Sequence, residues 1–311
     1  MKFQMNFTTS YDDVIRFTSA EDLHRFYTEH GCDGLELMPL PYSTAEAPDV
    51  YLSPKKCPLI VPGMVTGIHC CCVGDWVNQD RKELIRHYRK DLDYAMRVGA
   101  EYVVFHVVQV DDEEGFTYQG KHTDREVVDA AAAFINELLD GQEYSFWFLM
   151  ENLWWPGLTM TRPEMTKRLL SQVHYQKKGI MLDTGHLMHM NLELKTQDEA
   201  VDYILEKVAE HGNLASYIKG MHLNQSITGA YVKTLITKKD AMPSDYEACS
   251  KACYEHVFQI DQHLPFTTPK VQKLVETIKP EYLTHELMSY GRSEHEIKLV
   301  MQRAALKGEN L

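Results

Sequence analysis

Ile180-Met181-Leu182-Asp183-Thr184-Gly185-His186 is a short apolar run that ends in an acid, a turn and a histidine. The run reads as a buried strand delivering Asp183 at its carboxyl end, with His186 three residues on in the following loop. A carboxylate and an imidazole placed together at a strand end are good ligands for a borderline divalent cation such as zinc. The competing reading makes Asp183 the cap of the next turn and His186 an ordinary polar loop residue. Recurrence of the same arrangement along the chain decides the fold.

On both sides of this stretch, strand-like and helix-like segments alternate. Residues 2–8 alternate in polarity like a first strand. Ser19 suits the N-cap of a helix with acids in its first turn, and Gly31 stops it. Further strands read at 34–38, 64–71, 101–107, 145–151, 217–223 and 282–287. Helices read at 79–98, 124–140, 162–174, 198–210, 268–278 and 293–306. The stretch 39–62 is turn-rich and 109–121 reads as a polar, acidic surface loop. The longest connection, 224–262, carries a short helix after Pro243. Eight strands each followed by a helix predict a parallel (β/α)8 TIM barrel. One domain is expected over 1–311, with 224–262 as a long loop insertion. A doubly wound open sheet is the rival, and its dinucleotide glycine signature is absent.

Composition narrows the class. With 311 residues, 44% apolar and 25% charged, the chain is ordinary for a soluble globular protein. Residues 1–7 are too polar for a signal-peptide core, and no apolar run approaches the roughly 20 residues that span a bilayer. The seven cysteines are odd in number and Cys70, Cys71 and Cys72 are consecutive, which is no disulfide framework. They are read as core, and a reducing cytoplasm is the expected location. The formal charge of -13 disfavours a long contact with a phosphate backbone, so nucleic acid is possible but disfavoured. Several divalent cations in one cleft would reverse the local field.

Polar residues sit at or just beyond the carboxyl ends of the predicted strands: Glu36, His69, His106, Glu151, Asp183 with His186, His222 and Glu286. In a barrel these ends converge on one mouth. The connection before the helix at 268–278 adds Asp261-Gln262-His263, whose outer residues face the same side if the segment is extended. Any one of these, taken singly, reads as a hydrogen-bonded loop residue, a salt-bridge partner or a turn residue. Together they mark a place where a polynuclear metal centre could be built.

These residues carry a family resemblance. Ile68-His69, Phe105-His106, Glu151-Asn152, Leu182-Asp183-Thr184-Gly185-His186, Met221-His222-Leu223-Asn224, Asp261-Gln262-His263 and Glu286 resemble, in order and spacing, the xylose isomerase-like TIM barrels. Within that superfamily they look most like the endonuclease IV (apurinic-site endonuclease) branch. The resemblance implies up to three divalent metals, zinc or manganese. His69, His106 and Glu151 would hold one; Asp183, His222, Glu286 and a shared Glu151 a second; His186, Asp261 and His263 the third. The chain departs from the endonuclease at its first strand, which lacks the histidine and glycine pair. It departs again at Leu153-Trp154-Trp155-Pro156, at Leu182 where the endonuclease has cysteine, at the longer 224–262 segment and at Leu264-Pro265-Phe266. Gly31-Cys32-Asp33-Gly34-Leu35-Glu36-Leu37 resembles the second strand of the sugar isomerase and epimerase branch.

Two chemistries fit. In the favoured one, the substrate is a small sugar or sugar phosphate. A metal held by Glu151, Asp183, His222 and Glu286 stabilises an enediolate. Glu151 and Glu286, on opposite sides of the cavity, move protons as base and acid. Glu36 is then a substrate-facing candidate, and Trp154, Trp155 and Trp76 form apolar walls against the sugar or simply pack under a loop. The alternative is phosphoester hydrolysis by water that the metals acidify, which uses the whole ligand set. A third class is a metal-binding barrel without catalysis. Lys233, Lys238 and Lys239 are candidate phosphate contacts, although lysine runs are usually solvated faces.

Overall fold

Strands that are apolar on both faces belong in a parallel sheet covered on both sides. The computed structural model describes residues 1–44, 47–70, 81–238 and 245–309, and in it these strands close a barrel. They are β1 (Lys2–Thr8), β2 (Gly34–Met38), β3 (Val65–His69), β4 (Tyr102–His106), β5 (Trp147–Glu151), β6 (Lys178–Asp183), β7 (Ile218–Leu223) and β8 (Tyr282–His285). Every neighbouring pair is parallel, and β1 closes the ring by pairing with both β2 and β8. This is the (β/α)8 barrel that the alternation predicts.

Side chains two apart on a strand share a face, so each barrel strand builds two cores. Tyr102, Val104, Leu149, Met181 and Tyr282 form an apolar plug of their own. The intervening residues, such as Val103, Phe105, Phe148, Met150, Ile180 and Leu182, join the larger core. Gly67 is part of the interior fit: a Cβ there would lie 2.2 Å from the Tyr102 ring. The next position along the inward row is a strand end, and there the polar residues begin. Register aligns His106 with Glu151 and Asp183 with His222.

The connections differ from the simple repeat. Between β2 and β3 the described residues contain no α-helix, only an antiparallel hairpin of Tyr42–Thr44 with Ala47–Leu52 and a 3-10 turn at Pro54–Lys56. Prolines at 39, 41, 48, 54, 58 and 62 remove the amide donors that a helix needs. The expected loop at 109–121 instead holds a helix, Asp112–Thr117. A reciprocal capping box stabilises it, with Glu114 N donating to Asp111 Oδ1 at 2.8 Å and Asp111 N donating to Glu114 Oε2 at 2.9 Å. The 224–262 connection carries two helices, Gly229–Lys238 and Tyr246–Ile260, rather than one short one. They are anchored by a cluster of Leu153, Trp154, Trp155, Val232 and Ile260.

At the closing seam, Arg292 donates from both terminal nitrogens to Asp22, at 2.7 and 3.0 Å. These bonds hold the Asp22 carboxyl well below the usual carboxylate range. They tie helix Ala20–Glu29 to helix Arg292–Leu306. Cys70 is buried, as expected of a core cysteine, whereas Cys71, Cys72, Trp76, Lys239 and the Lys238 side chain lie outside the described residues. Lys233 is paired with Glu193. No helix among the described residues is long and apolar enough to cross a membrane.

Candidate metal centre

Asp183 ends β6 because its side chain begins the next element. Its Oδ1 accepts from His186 N at 2.6 Å and caps the short helix Thr184–Met188. Its Oδ2 accepts from Asn224 Nδ2 at 2.7 Å. One oxygen therefore does the capping, and the other faces Asn224 and the mouth. His186 lies in that helix and not in a loop, because the cap starts the helix directly at the strand end.

Glu151 is fully buried and occupies the middle of the mouth. Its Oε2 lies 3.4 Å from His69 Nε2 and 3.1 Å from His106 Nε2. Its Oε1 lies 3.2 Å from both His186 Nδ1 and His222 Nδ1. His222 Nδ1 also approaches Glu286 Oε2 at 3.3 Å and Asp183 Oδ2 at 3.7 Å. On the far side, Asp261 Oδ2 lies 3.1 Å from His186 Nε2 and 3.3 Å from His263 Nε2.

Three of the resulting groups have ligand atoms mutually close enough to share one ion: His69, His106 and Glu151; Glu151, Asp183, His222 and Glu286; and Asp183, His186 and His263. Asp261, adjoining the third group, was expected within it. Glu151 and Glu286 were expected to face each other across the cavity. Although they come from β5 and the end of β8, their reach brings an oxygen of each into one group.

The outer polar contacts decide which nitrogen faces inward. His222 Nε2 lies 2.8 Å from Glu36 Oε1, and Glu36 Oε2 accepts from Tyr102 OH at 2.6 Å and Thr284 Oγ1 at 2.8 Å. Glu36 is thus 2% exposed beneath the mouth, with His222 Nδ1 facing inward, and it forms a further close group with His69, His222 and Glu286. His69 Nδ1 lies 3.1 Å from its neighbour's carbonyl, Cys70 O, leaving Nε2 for the mouth. His186 Nδ1 is 2.9 Å from Asn152 O, which leaves Nε2 for Asp261 and His263.

Trp154 and Trp155 are both largely buried. At 7% and 9% exposure they stack at 4.2 Å between ring centroids, and Trp154 packs on His186 and His189. They pack beneath the two insertion helices, in line with the packing alternative given for them.

Missed by sequence reasoning were His189, whose Nε2 lies 3.3 Å from Asp261 Oδ1, and the amides Asn152 and Asn224. His189 follows His186 at helical i,i+3 spacing, a usable signal. Asn152 pairs twice with the Asp183 backbone, accepting from N at 2.9 Å and donating to O at 3.1 Å. Asn224 Nδ2 spans Asp183 Oδ2 and Glu286 Oε2, at 2.7 and 3.3 Å.

The charges compete strongly. Burial pushes the Glu151 carboxyl up, but His106 and His222 override it and hold it well below the usual range. Burial lowers His222 and His186, and the surrounding carboxylates override it in turn, so both imidazoles lie well above their ordinary value. Asp183 is pushed to about 7 by burial and by Glu286, Glu151 and Asp261, against the pull of His186. Glu151 Oε2 is buried with no partner of hydrogen-bonding geometry among the described residues. Carboxylates and imidazoles crowded in this way, with one nitrogen of each ring turned inward, fit a borderline divalent cation.

Gly185 protects the arrangement, since a Cβ there would lie 2.0 Å from Asn224 Oδ1. Gly185→Ala is therefore expected to displace Asn224 and weaken metal affinity by about 10- to 100-fold with the barrel intact. Competition with a chromogenic chelator measures this, and unchanged affinity would contradict the role given to Asn224.

The family model described as xylose isomerase-like TIM barrel matches residues 25–279. None of the curated proteins compared matches the sequence. Among solved structures, a D-tagatose 3-epimerase-like protein is similar at 14% identity and a TM-score of 0.56, covering 99% of this chain and 97% of that one. An L-ribulose 3-epimerase is similar at 12% and 0.54, covering 98% and 94%. The IOLI protein with a binding zinc atom is similar at 15% and 0.51, covering 98% and 96%. At these identities the likeness is one of fold.

Proposed function

Because this chain belongs to the xylose isomerase-like TIM-barrel family, we propose that it is a divalent-metal-dependent isomerase or epimerase of sugars or sugar phosphates that works through an enediolate. The observation that carries this reading is the meeting of Glu151, Asp183, His222 and Glu286 within one group. Two of the similar folds are named as sugar 3-epimerases or like them, which supports it.

Zinc or manganese suits these donors. When bound, such a cation supplies Lewis-acid polarisation of adjacent substrate oxygens. The chain's own residues do the rest. Glu151 and Glu286 are the proton carriers: one removes the proton from the carbon beside the carbonyl, and the other delivers a proton to the opposite face. Glu36 fixes the orientation of His222 from behind, and Asn224 holds Asp183 and Glu286 in register with each other.

The group of Asp183, His186 and His263, with Asp261 beside it, exceeds what a one-metal isomerase needs. It favours phosphoester hydrolysis as the second reading. Incubating metal-loaded protein with ketoses, ketose phosphates and an abasic-site duplex separates the two. Sugar conversion is expected; strand nicking without it would reverse the order.

A further inference from the structure

On the Glu286 side, the mouth opens into a cavity of about 200 Å³ whose far wall is Asn6, Thr8, Asp13, Arg16 and Ser289. At about 30 Å³ per water of liquid volume, it has the size of a short hydroxylated chain. Glu286 and His263 line its near end, so a ligand could reach from it to the metal centre.

Its polar groups are internally balanced. Arg16 Nη1 pairs with Asp13 Oδ1 at 3.0 Å, and the two side chains are largely enclosed. Asp13 Oδ2 accepts from Thr8 N at 2.9 Å and Thr8 Oγ1 at 2.6 Å, while Arg16 Nη2 donates to the Ser289 carbonyl. Arg16 Nε and Ser289 Oγ are buried without a hydrogen-bond partner among the described residues, and Ser289 is 8% exposed. Buried polar groups left unpaired are costly, and Ser289 lies in the lining where a ligand hydroxyl could meet it.

We propose that this cavity is the subsite for the unreacted end of the substrate, and that this end is a neutral polyol and not a phosphate ester. The inference rests on the isomerase reading and narrows its substrate class to free sugars. Charge makes the choice. The Arg16 cation is already matched by Asp13, and His263 faces the carboxylates of Asp261 and Glu286. His295, also in the wall, is kept uncharged by burial. A phosphate dianion would meet the Asp13 carboxylate with no unmatched cation in the described lining. Hydroxyls, which donate and accept, suit a carboxylate beside a guanidinium.

A hexitol lacks the carbonyl and cannot turn over, so its binding reports on the subsite separately from catalysis. Glucitol and glucitol 6-phosphate would be titrated into the zinc-loaded protein and followed by saturation-transfer NMR. Glucitol is expected to bind at least about 10-fold more tightly, the weight of one hydrogen bond to a charged group. Asp13→Asn is expected to shrink this preference. Ser289→Ala, which removes only an unpaired hydroxyl, is expected to weaken glucitol about 3- to 10-fold with unchanged thermal melting. Equal or absent glucitol binding, tighter phosphate binding, or indifference to both substitutions overturns the proposal. Preferential conversion of ketose phosphates also overturns it and leaves the isomerase reading standing. A retained glucitol preference with no ketose conversion counts against the isomerase reading alone.

Discussion

Glu151→Gln is expected to lower kcat for ketose conversion by about 10²- to 10⁴-fold, the weight of a positioned acid–base group. Bound metal is expected to fall with it, because metal affinity there depends on the ionised carboxylate. The reason is position. Glu151 belongs to two of the ligand groups, and its two oxygens lie between 3.1 and 3.4 Å from His69, His106, His186 and His222. Glutamine keeps the volume and removes the charge that faces these imidazoles. Unpairing a buried charge network costs about 3–5 kcal/mol, so a lower melting temperature is also expected. Elemental analysis beside turnover decides it. Full metal content with near-normal kcat would remove Glu151 from the centre of the mechanism.

The metal-free protein is expected to lose stability steadily from pH 5 to pH 9, and metal loading to suppress the loss. Asp183 has a folded value of about 7, raised from 3.8, so its contribution is present below 3.8 and is lost as pH climbs through 7. His263 is raised from 6.5 to about 9 by Asp261 and Glu286 against the opposing effect of burial. Its contribution is complete below 6.5 and is lost on passing 9, a change on the order of 3 kcal/mol. His186 and His222 act in the same direction. The carboxyls held low, Glu151, Asp261 and Glu286, lose their contribution only in acid, below their ordinary values of 4.5, 3.8 and 4.5. They are constant across the window. Metal binding displaces the imidazole protons, so its stabilisation grows with pH. Thermal melts of chelator-treated and zinc-loaded protein at pH 5, 7 and 9 should diverge; parallel profiles would rule out a centre built on these histidines.

The barrel was legible because strands such as β4 and β6 are apolar on both faces, a pattern that few architectures tolerate. The cluster at the mouth was legible because the pleat repeats every second residue, so a polar group at a strand end announces its direction. What the pattern hid was reach and partnership. Glu36 looks like any other strand-end acid, and only the packing of Tyr102 and Thr284 around it shows that it serves His222. Asn152 and Asn224 carry no charge, yet they hold Asp183 through hydrogen bonds to groups distant in sequence. Trp154 and Trp155 announced only bulk; which surface they would meet depended on helices that the 224–262 segment concealed. The helix at Asp112–Thr117 was masked by its acids and Gly115, although its capping pair stood in the sequence.

The β1–β8 seam sets an order of events during synthesis. Lys2 to Met5 pair with Tyr282 to His285, and Asn6 Oδ1 accepts from Leu287 N at 3.1 Å. Contacts that far apart in sequence pay their loop-closure entropy before any pairing rewards it. On the ribosome, β1 must wait with an unpaired edge until β8 has emerged. Glu286 lies directly beyond that last strand, so the nascent chain gains its complete ligand set only as the ring shuts. Any metal held there would therefore be acquired late, after closure, and a chain stalled before β8 carries most of the histidines but not the finished candidate centre.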